Sequence, residues 1–306
     1  MYSYHNPVMP DETIDALNVR PGGKYIDCTA GGGGHSSKIL DKLSGGGQLI
    51  CIDRDPQSVE VLKKRFLGRK VTIINDNFFN IKDILSFLDI EGADGILADL
   101  GVSSHQLDTP ERGFSFHSDA PLDMRMGMSG TGAADIVNTL PQKELQRIIY
   151  AYGEERFAPS IARNIVKARE KEPIRTTGQI AKIICESMPA SARRSGHPAR
   201  KTFQALRIEV NGELERLGAA LEDMFGCLNH GGRMAVITFH SLEDRIVKKT
   251  FAALCSGCSC PPDFPVCVCG KKPPGFLPRK AVSPGESETA ENPRSRSARL
   301  RVIEKY

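Results

Sequence analysis

The run Asp27-Cys28-Thr29-Ala30-Gly31-Gly32-Gly33-Gly34-His35 places an acid, four glycines and an imidazole within nine residues. Glycine lets the backbone come close to a ligand where a side chain would stand in the way. When such a turn joins a strand to a helix, the N–H groups that open the helix face whatever the turn holds. Two more acids end apolar segments: Asp53 after Gln48-Leu49-Ile50-Cys51-Ile52, and Asp99 after Gly95-Ile96-Leu97-Ala98. Asp53 lies about 20 residues past the glycines, where nucleotide-binding α/β folds hold an acid for ribose hydroxyls. This pattern suits a nucleoside-containing cofactor.

The choice of nucleoside is less tightly fixed. The glycines do not meet the G-x-G-x-x-G spacing of dinucleotide sites, because position 36 is Ser and the third glycine is needed for close helix packing. Asp27 at the start of the turn and His35 at its end suit S-adenosylmethionine (SAM) better. SAM has no pyrophosphate, and its positive sulfonium favours nearby acids. A glycine turn that binds nothing is the plainer reading, and any one of the three acids alone would pass for a helix cap. The order strand, glycines, helix, strand, acid argues against that reading.

Positioning these residues requires a particular set of elements. Strand signals at 24–28, 48–53, 71–75 and 95–100 alternate with helical stretches at 56–66 and 79–88, the rhythm of a parallel sheet. In an open sheet of this kind, ligands sit beyond the carboxyl ends of the strands, where Asp27, Asp53 and Asp99 fall. Gly, Ser, Pro and Met dominate 109–134, which predicts a long loop. From 141 to 188 the period is helical: Leu145, Ile148, Ile149 and Tyr152 mark one apolar face, and Phe157, Ile161 and Ile165 another. Thr176 and Gln179 have capping-box spacing ahead of Ile180. Phe203, Leu206, Val210, Leu214, Leu217, Leu221 and Met224 step by threes and fours and predict one long amphipathic helix. A strand at 233–239 resumes the sheet, and the alternating tail at 298–303 predicts a last, antiparallel edge strand.

With 306 residues, 40% hydrophobic and 25% charged, the chain has an ordinary globular profile and room for two domains. No apolar run approaches membrane-spanning length. The first residues have neither the basic nor the apolar region of a secretion signal. The expected location is cytoplasmic, where the nine cysteines stay reduced. The net charge of +4 says little, but between Arg156 and Arg207 twelve Lys/Arg stand against three Glu. That stretch reads as a phosphate-binding footprint or as a set of solvated helix faces.

Further blocks follow in order: Asp53-Arg54-Asp55-Pro56, Asp99-Leu100-Gly101-Val102-Ser103-Ser104, Gln106-Leu107-Asp108, Arg112-Gly113-Phe114-Ser115-Phe116 and Pro121-Leu122-Asp123-Met124-Arg125. Then come Tyr152-Gly153-Glu154-Glu155-Arg156, Thr202-Phe203-Gln204-Ala205-Leu206-Arg207, Phe239-His240-Ser241-Leu242-Glu243-Asp244-Arg245 and Asn292-Pro293-Arg294-Ser295-Arg296-Ser297. Together with the glycine run, these closely resemble the bacterial RsmH (MraW) family, SAM-dependent methyltransferases of small-subunit ribosomal RNA. The resemblance runs from His5 nearly to the last residue. It implies an α/β fold: a Rossmann-like SAM-dependent methyltransferase core with a mostly parallel sheet and an inserted all-helical domain. The expected division is 1–108 and 206–306 for the core, and 109–205 for the helical substrate-recognition insert.

The resemblance also implies methylation of the exocyclic N4 of a cytidine in the decoding region (P site) of 16S rRNA. The implied partner is 16S rRNA within the small ribosomal subunit, with no membrane involved. Carried over by motif, the SAM contacts are Gly33, Gly34, His35, Asp53, Phe78, Asp99 and Gln106. Phe78 follows the third strand and is placed to face the adenine ring; Gln106 is placed to hydrogen-bond SAM. Cytosine N4 is a poor nucleophile because its lone pair is delocalised into the ring. It needs in-line placement, and orientation contributes roughly 7–11 kcal/mol in model systems. Asp99 is the candidate catalytic residue, accepting a hydrogen bond from the amino group. Other amino-methyltransferases place Asp/Asn-Pro-Pro-aromatic at this strand end. The Asp99-Leu100-Gly101-Val102 found here leaves open whether Asp99 serves the cytosine or only SAM.

Arg193, Arg194, Arg200, Lys201, Arg294 and Arg296 are candidate phosphate contacts. His240 lines the cytosine pocket or caps the following helix. Cys255, Cys258, Cys260, Cys267 and Cys269 gather in a Pro-rich loop. Four thiolates bind zinc tetrahedrally, but the C-x-C pairs depart from the usual spacing and the resemblance implies no metal, so the expectation is no stoichiometric zinc. Two other functions compete with the methyltransferase. A nicotinamide-dependent oxidoreductase is disfavoured by the missing third glycine, and a non-catalytic RNA-binding protein by the intact Gly33-Gly34-His35 and Asp53.

Overall fold

A computed structural model describes residues 7–194, 196–257, 260, 264–266 and 268–306, the side chain of Arg194 excepted. The chain divides into two compact units, Met1–Gly101 with Leu214–Tyr306, and Val102–Glu213. The first unit opens with α1 (Pro10–Leu17), β1 (Lys24–Asp27), α2 (Gly34–Lys42), β2 (Gln48–Asp53), α3 (Pro56–Arg65), β3 (Val71–Asn75), a 3-10 turn (Phe78–Asn80), α4 (Ile81–Phe87) and β4 (Ala93–Asp99). The second holds α5 (Ser104–Asp108), α6 (Ala133–Thr139), α7 (Gln142–Gly153), α8 (Ala158–Arg169), α9 (Thr177–Glu186) and α10 (Arg200–Asn211). The first then resumes with α11 (Leu217–Gly226), β5 (Leu228–Thr238), α12 (Ser241–Ser256), β6 (Gly275–Phe276), α13 (Glu286–Glu291) and β7 (Arg299–Lys305).

Among the described residues the sheet has seven strands in the order β3-β2-β1-β4-β5-β7-β6. It is parallel from β3 to β5 and antiparallel across β7. This is a Rossmann-like sheet. Its strands are apolar on both faces, and their alternation sorts side chains into two cores. Ile26, Ile50, Ile52, Ile96, Ala98, Met234 and Val236 enter one. Tyr25, Leu49, Cys51, Leu97, Ala235 and Ile237 enter the other. Two-sided burial is what a parallel sheet covered by helices requires. Order reverses at β1, which has β2 on one side and β4 on the other. The crevice beyond the carboxyl ends of such a pair is where this fold class binds ligands.

Two expectations need correction. The tail strand is not an edge: β7 pairs with β5 on one side and with the short β6 on the other. β6 carries only two residues, too few to show periodicity in the sequence. The single helix predicted through 203–224 is two helices, because α10 ends at Gly212, whose left-handed φ of 59° caps it. The hydrophobic steps of three and four run through the break and conceal it.

The helical unit has its own core, with Leu145, Ile148, Ile161, Ile165, Ile180, Ile184 and Leu206 fully buried. The Thr176–Gln179 capping box opens α9 as the spacing predicts. The long loop at 109–132 lacks regular structure over most of its length but is tied down. Buried Arg112 donates to the carbonyls of Arg125 and Met126 at 2.9 and 3.0 Å. Asn211 accepts from the Met126 N–H and donates to the Met124 carbonyl. Among the described residues, no helix is long and apolar enough to cross a membrane.

Candidate cofactor site

The site grows from three strand ends and one turn. β1 ends at Asp27 and the chain turns through the glycines into α2. Gly33 takes a left-handed φ of 79° at the helix N-cap. A Cβ there would meet the Arg65, Leu62 and Phe66 side chains at 3.0–3.1 Å, so both conformation and space call for glycine. Asp27 is buried; its Oδ2 accepts from Ser36 Oγ at 2.6 Å and its Oδ1 from the Thr29 N–H at 3.3 Å. It ties the turn to α2. Burial raises its carboxyl to about 6 against those two hydrogen bonds.

Asp53 closes β2. Its Oδ2 accepts from the Gly31 N–H at 2.7 Å and its Oδ1 from the Asp55 N–H at 2.8 Å. Each carboxylate oxygen has a second lone pair, so Asp53 can brace the glycine turn and still accept from a ribose hydroxyl. Burial, with help from Asp55 and Asp27, raises it to about 6. Asp55 caps α3 through Gln57 N–H, with Pro56 in its first turn, which explains the Asp53-Arg54-Asp55-Pro56 block locally.

Asp99 ends β4. Its main-chain N–H donates to Thr29 Oγ1 at 2.6 Å, which locks the β4 end to the turn after β1. Its Oδ2 lies 3.6 Å from His35 Nδ1, beyond hydrogen-bond distance. Its Oδ1 is buried and has no hydrogen-bond partner among the described residues. Burial, then the charges of Asp27 and Glu243, raise its carboxyl well above the ordinary range. His35 is buried, and its Nε2 meets the Val8 carbonyl at 2.9 Å. A carbonyl only accepts, so Nε2 carries the proton and Nδ1 turns a lone pair toward Asp99. Burial, assisted by Lys38, lowers His35 to about 4 against the Val8 contact. A neutral imidazole lone pair beside an acid favours the protonated acid.

The residue set therefore gathers carboxyls whose charged forms are strained, together with one unpaired buried oxygen. A cation with polar groups relieves both conditions, and a sulfonium nucleoside fits that chemistry. A profile of the MraW methylase family matches residues 2–306. The chain belongs to that family. It is similar to proteins named ribosomal RNA small subunit methyltransferase H. That of Symbiobacterium thermophilum is 53% identical over 310 residues, covering 100% of this chain and 98% of its own. That of Brevibacillus brevis is 50% identical over 307 residues, covering 99% and 98%. That of Citrifermentans bemidjiense is 53% identical over 307 residues, covering 99% and 98%.

Among the residues expected to hold the cofactor, Gly33, Gly34, His35, Asp53 and Asp99 belong to this one assembly. Gly34 lies beneath Pro7, whose ring carbons a Cβ would meet at 3.0–3.1 Å. Phe78 follows β3, half-buried, with its ring edge-on to Phe79 at 4.8 Å. Gln106 belongs to the helical unit, where it is buried and its Oε1 accepts from the Ser103 N–H in a capping box.

Sequence reasoning missed the supports. Thr29 holds Asp99, and Ser36 holds Asp27. Arg65 reaches from α3 to donate to the Gly32 carbonyl at 2.8 Å and to Ser37 Oγ at 2.9 Å. None has a signature of its own, because each acts through a long-range contact. Glu243 was also missed. It is buried and accepts from the Phe239 and His240 N–H groups at 2.8 and 3.2 Å. His240 is the N-cap of α12, with its Nδ1 accepting from the Glu243 N–H at 3.4 Å. Cys258 and Cys267 lie outside the described residues.

Proposed function

We propose that this protein transfers a methyl group from SAM to the exocyclic N4 of a cytidine in the decoding region of 16S rRNA, acting in the cytoplasm on the small ribosomal subunit. Family membership supports the methyl transfer and the ribosomal RNA. The observation that carries the site is the buried, unpartnered Oδ1 of Asp99 beside a glycine turn at the sheet's switch point. When bound, SAM supplies an activated methyl group on a positive sulfonium.

The protein's own residues do the remaining work. Asp53 accepts from the ribose hydroxyls while bracing Gly31, and Gly33 and Gly34 present main chain to the cofactor where α2 opens. Phe78 offers an apolar face to adenine. Asp99 Oδ1 accepts a hydrogen bond from the cytosine amino group and so orients its nitrogen lone pair. Its carboxylate charge then offsets the positive charge that develops on N4, and the surplus N4 proton is released to solvent. Thr29 and His35 are positioning residues: one fixes the main chain of Asp99, the other limits where Oδ2 can turn. Fixed groups aimed at developing charge are the most effective kind of electrostatic catalysis.

Isolated small subunits incubated with methyl-labelled SAM and the protein, then digested to nucleosides, test this reading. Label in N4-methylcytidine is the expected result. Label in another nucleoside, or none, overturns it.

A further inference from the structure

The helical unit carries an aromatic cluster that the methyl-transfer reading does not use. The rings of Phe116 and His197 stack with centroids 4.2 Å apart and planes within 13°. His117 leans on Phe116 at 4.5 Å, and buried Phe203 meets Phe116 edge-on at 5.4 Å. Phe116 and His197 are half-buried and His117 is exposed. The stack is thus anchored in the core at one end and open to solvent at the other.

Its supports are rigid. His197 Nδ1 accepts from the Ala199 N–H at 3.2 Å, which fixes the ring just ahead of α10. His117 N–H donates to Ser115 Oγ at 3.2 Å. The loop beyond is fastened to α9, with Thr177 Oγ1 donating to the Ser118 carbonyl at 2.7 Å and accepting from the Ala120 N–H at 3.0 Å. Burial, then His117 and Arg200, hold His197 below its ordinary value, so it presents a neutral ring at pH 7. The surroundings are basic: Arg193, Arg200 and Lys201 are exposed, within the stretch where twelve Lys/Arg stand against three Glu. Flat rings framed by exposed cations are the recurring design of single-stranded nucleic-acid sites, where stacking holds bases and cations track phosphates.

We propose that Phe116, His117 and His197 form a stacking platform for an unpaired base of the RNA substrate, with Arg200 and its neighbours on the flanking phosphates. The proposal rests on the reading of the protein as an RNA methyltransferase, and it assigns a second contact apart from the base that is methylated.

Full-length protein and a labelled single-stranded RNA oligonucleotide test it. His197→Asn keeps an acceptor for the Ala199 N–H and removes the ring. It is expected to weaken RNA binding by between about 5- and 150-fold, the span of base–aromatic stacking by substitution. Because a neutral ring is lost, the dependence of affinity on salt should stay as in wild type, and SAM affinity should not change. His197→Phe, which keeps a ring, should retain most of the RNA affinity. Arg200→Ala should instead reduce the salt slope by about 1.

Wild-type RNA affinity in His197→Asn and in His117→Ala overturns the platform, as does equal loss in His197→Phe and His197→Asn with unchanged melting. Methyl transfer to small subunits separates the two proposals. If wild type methylates them and the His variants bind and turn over normally, the platform falls alone. If His197→Asn loses oligonucleotide binding but wild type does not methylate small subunits, the methyltransferase reading falls alone.

Discussion

In the proposed reaction Asp99 is the central side chain, and its surroundings suggest a sharp substitution. Asn reproduces the protonated acid, with an oxygen still free to accept and no charge to gain. Asp99→Asn should therefore fold as wild type and bind SAM with little change, yet turn over slower by orders of magnitude if the charge acts mainly in the transition state. If Asp99 serves only the cofactor, SAM affinity falls instead and saturating SAM restores the rate. Steady-state kinetics at several SAM concentrations separate the two. Asp53→Ala would remove the proposed ribose contact and the brace on Gly31 together, so SAM binding should weaken by at least the roughly 1–3 kcal/mol typical of a charged hydrogen bond. Calorimetry giving wild-type affinity would remove Asp53 from the site. Asp27 makes a prediction about pH. The folded protein holds its proton up to about 6, whereas an unfolded chain releases it near the ordinary 3.8. The resulting stabilisation is complete below that ordinary value and is lost as pH rises through about 6. Over this window Asp27→Asn should gain on wild type, by at most about 3 kcal/mol for a shift of two pK units. Paired denaturant melts at pH 4 and pH 7 that differ equally would contradict this.

At the scale of elements, two features can be tested. Gly212 ends α10 with a left-handed φ and open space around its Cβ position. Gly212→Ala should then cost backbone strain alone, about 1–2 kcal/mol, and thermal unfolding should show a modest loss with activity kept. β7 has a larger role. Leu300, Val302 and Ile303 are buried against the sheet. Arg301 makes a two-pronged bond to Asp244 of α12 at 2.7 and 3.0 Å, and Arg233 of β5 pairs with Glu304 at 2.8 Å. Three buried aliphatics at about 1.5–3 kcal/mol each are a large share of the stability of a typical domain. A chain cut before Arg299 should fail to fold, as circular dichroism and gel filtration would show. A cut chain that stays folded and binds SAM would mean β7 is dispensable.

For the whole molecule, the excess positive charge between Arg156 and Arg207 leads to a prediction of how RNA binding should respond to salt. Each phosphate contact releases counterions, so affinity should fall steeply as salt rises. Arg193→Glu, Arg200→Glu and Lys201→Glu together should lower RNA affinity more than tenfold and flatten the salt slope, while SAM binding is unchanged. Lys201 also donates from Nζ to the Glu154 carbonyl at 2.9 Å, so its single variant should have the smaller effect on slope. Filter binding across a salt series checks both, and an unchanged slope in the triple variant would reduce these residues to solvated surface.

The sequence by itself determined the parallel sheet, the glycine turn and the three acids at its strand ends. Those features are local: hydrophobic period, turn chemistry and the place of a polar residue after an apolar run all act over a few residues. It also carried the α9 capping box, whose two members are three residues apart. The break at Gly212 stayed hidden because the apolar steps continue across it, and one glycine in a helical pattern is weak punctuation. The strand order was beyond reach too. Pairing of β7 between β5 and a two-residue β6 depends on hydrogen bonds between segments far apart in the chain. Only the tertiary structure decided how the acids differ. Asp27 is consumed by Ser36 and Thr29, Asp53 accepts from the Gly31 and Asp55 N–H groups, and Asp99 keeps one oxygen without a partner among the described residues. In sequence all three are aspartates ending a strand; the contacts made by Thr29, Ser36 and His35 across the fold set them apart.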